Sequence, residues 1–98
     1  MQITELPMEL EKAIRECTSS EELDIYAKDK NWKVRCVAAA NTNMSPETLS
    51  TLAEDEEWIV RRFVAENVMT PREKLSRLAE DKSRLVRNSA RSNPNFKQ

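Results

Sequence analysis

LAEDEEWIVRRFVAENVMTPREKLSRLAED, residues 52–81, carries the same four letters at both ends, 26 residues apart. The tetrapeptide has a counterpart one further step upstream, YAKD at 26–29. The same step takes Trp32 to Trp58 and Arg84, Val34 to Val60 and Val86, and Arg35 to Arg61 and Arg87. It takes Asn41 to Asn67 and Asn93, Leu23 to Leu49 and Leu75, and Tyr26 to Leu52 and Leu78. Self-similarity at a fixed period of this length marks a stacked repeat, and about three and a half copies fill the chain.

Each copy reads as two short helices. The first opens at SSEE (19–22), SPET (45–48) and TPRE (70–73), the last one residue out of step. Serine or threonine serves as N-cap there, with Pro46 and Pro71 at the first helical position, where a missing N–H costs nothing. Ser19 with Glu22, and Thr70 with Glu73, have capping-box spacing. Leu49, Leu52 and Ala53 then form one apolar stripe. The second helix follows at once, with Asp29, Asp55 and Asp81 expected as N-caps. Its stripe of Val60, Phe63 and Val64 places all three in the core. A leading helix over 7–17 completes the N-terminal end.

The chain contains no glycine, yet helices commonly end on a left-handed residue that glycine fills best. Asn41, Asn67 and Asn93 stand where such residues are needed, and asparagine tolerates that conformation better than other side chains. The spacing therefore predicts left-handed C-caps there, less readily at Asn93 because Pro94 follows. Helices this short are marginal alone, and stacking buries their stripes. The expected fold is an all-α solenoid in a single domain over 1–98. A capping helix occupies 1–18, and the copies span about 19–44, 45–69 and 70–95.

Composition removes most chemistries. There is no histidine, so Ser-His-Asp and Cys-His machinery is excluded. Two cysteines, Cys17 and Cys36, cannot make a four-ligand zinc site unaided; they read as reduced, packed side chains. Without glycine there is no phosphate-cradling loop. No apolar run reaches the ~20 residues that span a bilayer, and MQITELPMEL lacks a secretion signal's pattern. A cytoplasmic protein with no membrane association, no cofactor and no enzymatic activity is expected.

The recurring pattern of LAxD, then VR, then A-x-N, then TP and paired leucines resembles the leucine-rich repeat variant, a bacterial relative of HEAT and armadillo repeats. That resemblance covers residues 19 to about 95. It implies a right-handed α-α superhelix, a HEAT/ARM-like solenoid, and a binding scaffold rather than a catalyst. It also implies an aspartate–arginine ladder between neighbouring copies, which fits Asp29, Asp55 and Asp81 with Arg35, Arg61 and Arg87. A guanidinium suits that place because its planar fork bridges a carboxylate and loop carbonyls together. An iron–sulfur cluster found in one member type is not transferred, because the cysteine cluster it needs is missing here.

Side chains outside core and ladder are the candidate partner contacts. Lys33, Arg62, Glu66 and Asn88 are expected to line a groove formed by the second helices, with Glu66 one turn from Arg62 and able to pair with it. Trp58 and Arg84 share a row at the start of those helices, where tryptophan is a common interface anchor. Arg91 replaces Ala65, and Ser89 replaces Phe63, as in a terminal copy with its outer face made polar. Charge is uneven: residues 1–29 hold eight acidic and three basic side chains, net −5, and residues 58–98 hold ten basic and four acidic, net +6. An unidentified protein partner is the first expectation. Nucleic acid on the basic half is the alternative, supported by HEAT-like DNA glycosylases. Head-to-tail self-association of acidic and basic ends is a third.

Overall fold

The computed structural model describes residues 6–96. It is all-helical, with seven helices and no strand among the described residues: α1 Met8–Arg15, α2 Ser20–Tyr26, α3 Trp32–Ala39, α4 Pro46–Leu52, α5 Trp58–Glu66, α6 Arg72–Leu78 and α7 Arg84–Ser92. The starts of α2, α4 and α6 are 26 residues apart, as are those of α3, α5 and α7. The odd-numbered helices α1, α3, α5 and α7 pack in a row, each on the next, while α2, α4 and α6 pack on α3, α5 and α7. The result is a slab of 38 × 30 × 17 Å.

The core follows the same step. Leu23, Leu49 and Leu75 are wholly buried, as are Val60 and Val86, with Val34 nearly so. Ala38, Val64 and Ala90 fill the next turn. Short helices persist because each contributes its apolar arc to a core shared with its neighbours. No helix among the described residues is long and apolar enough to cross a membrane.

Four sequence expectations are corrected. First, the N-caps of α3, α5 and α7 are Asn31, Glu57 and Ser83, not the aspartates two residues earlier. Asp29, Asp55 and Asp81 instead accept the N–H of those cap residues at 2.8–2.9 Å. Their carboxylates tighten the turn before the helix, as short acidic side chains do.

Second, no described residue has positive φ, so the asparagines are not left-handed caps. Asn67 and Asn93 are extended, at φ −76° and −69°. Each buried amide reaches back to the preceding odd helix. Asn41 Nδ2 donates to the Ile14 and Cys17 carbonyls at 2.9 and 2.8 Å. Asn67 donates to those of Ala39 and Asn41, and Asn93 to those of Ala65 and Asn67, at 2.8–3.1 Å. Each Oδ1 accepts the N–H two residues on. Helix-end carbonyls are thus satisfied across the interface rather than by a local turn.

Third, Thr70 does not cap α6. The N-cap position falls to Pro71, in step with Ser19 and Ser45, whose hydroxyls accept from Glu22 and Thr48 N–H at 3.2 Å. Thr70 aligns with buried Met44, is itself fully buried, and donates its hydroxyl to Val64 O at 2.6 Å. Packing sets the register, and the residue one place early is drawn inside.

Fourth, Phe63 is only half-buried. On a helix turning about 100° per residue, Val60, Val64, Arg61 and Ala65 span one continuous arc, and Phe63 lies on its flank. Those four are the buried residues of α5.

Candidate interaction surface

Two rows of side chains run along the odd-numbered helices. One is the Asp–Arg row. Arg35 grips Asp55 through Nε and Nη2 at 2.8 and 3.1 Å, and Arg61 grips Asp81 at 2.7 and 3.0 Å. In each case Nη1 turns back to a carbonyl six residues upstream, Asp29 O or Asp55 O, at 2.7 Å. Arg87 Nη1 makes the matching bond to Asp81 O at 2.8 Å. A guanidinium does this because three donors lie in one plane.

The pairs are largely dry, with Arg61 only 8% exposed. Asp55 holds the Arg35 guanidinium above its ordinary value, against the opposing pull of burial. For Asp81 burial pushes the carboxyl up, but hydrogen bonds from Arg61 and Ser83 N–H and the charges of Arg61 and Lys82 outweigh it. The net shift is downward, so Asp81 is an ionised acceptor at neutral pH. A cavity of about 500 Å³ lies along this row with Glu54, Lys74 and Arg77 at its margin. The two row carboxylates that reach it are those already bound to arginine.

The other row is the outer face of α3, α5 and α7. Trp32, Lys33, Val37, Ile59 and Phe63 line a cleft of about 290 Å³. Lys33 Nζ sits 5.6 Å from the Trp32 ring centre, a cation–π distance. A second cleft, about 320 Å³, is lined by Arg62, Glu66, Leu85 and Asn88. Arg62 Nε donates to Glu66 Oε2 at 3.1 Å, and Ser89 Oγ reaches the same oxygen at 3.3 Å. Phe63, a lining residue of the first cleft, and Glu66, of the second, also flank a hollow beside Ala40 and Val68.

The structure therefore brings Arg62, Glu66 and Asn88 together and places Lys33 one cleft away. Trp58 and Arg84 are exposed at the starts of α5 and α7 and line neither cleft. Arg91 points elsewhere, donating to Ala79 O, the C-cap carbonyl of α6, at 2.7 Å. Sequence reasoning missed Phe63, Ile59 and Val37 as surface residues. The signal available was angular: Ile59, Arg62 and Glu66 share the side of α5 on which Phe63 borders.

Cys36 is buried against this floor, and desolvation pushes its thiol up to about 12. Among the described residues no group of three acidic or cysteine side chains is placed to hold a metal. No protein-family model, curated protein or solved structure matches the chain.

Proposed function

We propose that the chain is an α-α superhelical solenoid of about three and a half 26-residue repeats, akin to the leucine-rich repeat variant. In this reading it is a cytoplasmic, non-enzymatic scaffold that binds a protein through the outer face of α3, α5 and α7. The observation that carries the reading is the apolar cleft of Trp32, Val37, Ile59 and Phe63, flanked by a charge-paired rim. Half-buried aromatic and aliphatic side chains beside polar ones are the make-up of a protein interface core. A nucleic-acid groove would instead present unpaired cations in a continuous strip. On this face Arg62 is neutralised by Glu66, and Arg15 by Glu11 at 3.2 Å.

The test is site-specific photo-crosslinking in the native cytoplasm. A photoreactive side chain at Val37 is expected to capture a discrete protein, competed by unlabelled chain and lost with Phe63→Ser. The same group at Thr51, exposed on α4, should capture none. Failure to recover a competed protein from Val37 overturns the reading. Salt-sensitive binding to duplex or single strands would move the function to the basic half.

A further inference from the structure

Arg87 repeats the geometry of Arg35 and Arg61 with one element missing. All three lie six residues after an aspartate, and all three use Nη1 on that aspartate's carbonyl, at 2.7, 2.7 and 2.8 Å. That bond orients the fork. In the first two, Nε and Nη2 then face the next odd helix and close on Asp55 and Asp81. In Arg87 the Nη1 bond is the same, but among the described residues no carboxylate meets Nε or Nη2. The side chain is half-buried, so its conformation is held before any ligand arrives.

We propose that Arg87 is a preorganised binding site for one carboxylate of an aspartate or glutamate presented from outside the described residues. The two internal pairs are the template: a bidentate contact with both oxygens in the guanidinium plane, the strong form of this interaction. Preorganisation matters because it removes the ordering cost that makes most exposed pairs weak. The surroundings favour an anion, since α7 holds Arg84, Arg87 and Arg91 with no acidic residue. This site lies on a different edge from the apolar cleft and stands or falls independently of the scaffold reading.

The carboxylate has two sources, a second copy through its acidic residues 1–29 or an acidic segment outside residues 1–98. The test follows arginine Nε–H resonances of the nitrogen-15-labelled full chain at low ionic strength. The probe is a capped EDEE tetrapeptide, the chain's own 54–57. The Arg87 resonance is expected to move saturably downfield, towards those of Arg35 and Arg61. Arg87→Lys keeps the charge, loses the fork, and should weaken binding about fivefold. Arg84→Lys should leave it within about twofold, because only bulk charge is conserved there. Unmoved Arg35 and Arg61 resonances verify the fold of each variant, and the wild-type titration stands without any variant. Shifts spread evenly over exposed arginines, or Arg87→Lys binding as tightly as wild type, overturn the site. If the Arg87 resonance begins downfield and retreats on dilution with a falling sedimentation coefficient, the source is a second copy. If it is independent of protein concentration and responds to the peptide, the source is an acidic segment other than a second copy.

Discussion

Asn67 shows how one residue type can be chosen for the reach of its side chain rather than its backbone. Its amide satisfies Ala39 O and Asn41 O inside the protein, where water cannot. A left-handed cap would be improved by glycine, whereas a buried double donor would be ruined by it. Asn67→Gly should therefore destabilise by about 2–4 kcal/mol, from two orphaned carbonyls and added chain entropy. The measurement is the urea midpoint, and a neutral result would restore the left-handed reading. The cysteines give a second residue-scale expectation. Cys36 is 5% exposed and protonated at neutral pH, while Cys17 is half-exposed. A thiol reagent at pH 8 should modify Cys17 in the native protein and reach Cys36 only on unfolding. Rapid labelling of both would contradict the burial.

Helix starts differ although their positions recur. Ser45 caps α4 with its hydroxyl and is followed by Pro46 at the first helical position. Ser83 caps α7 by backbone position only, its N–H held by Asp81. Ser45→Ala should cost about 1 kcal/mol and Ser83→Ala under about 0.5, measured by thermal or chemical melts. Equal losses would mean that cap hydroxyls matter alike. Thr70→Val tests the register of α6. Its shape is kept and its bond to Val64 O is lost, so a cost of about 1–2 kcal/mol is expected. A cost under about 0.5 kcal/mol would show that the buried bond to Val64 O contributes little.

Across the whole molecule, the Asp–Arg row joins each odd helix to the turn before the next. Removing one partner strands a largely desolvated charge. Asp81→Ala should cost about 3 kcal/mol, and the double variant with Arg61→Ala less than the sum of the two singles. Asp81 also sets an acid limit. Its folded value lies below an unfolded one near 3.9. The stabilisation is thus complete above about pH 4 and lost as pH falls through the lower folded value. Wild-type stability should drop more steeply below about pH 4 than that of Asp81→Asn, followed by denaturant melts against pH. Parallel curves would show that Asp81 is not held by Arg61.

The helices, their 26-residue step and the Leu23, Leu49 and Leu75 core row could be read from residue order. Each rests on local periodicity and on apolar side chains that must go inside. The arginine candidates were visible too, because a charged residue recurring within an apolar helix asks for a partner. What only the tertiary structure decided was direction. The acceptors of Asn41, Asn67 and Asn93 are backbone carbonyls about 26 residues earlier, and a carbonyl has no letter of its own. Phe63 borders the core rather than filling it because the buried arc of α5 is centred between Val64 and Arg61, which the stripe by itself does not fix. Likewise Arg87 is spelled as Arg35 and Arg61 are. Its open fork exists because hydrogen bonds between helices are completed by what stands next in space, which residue order along one helix does not contain.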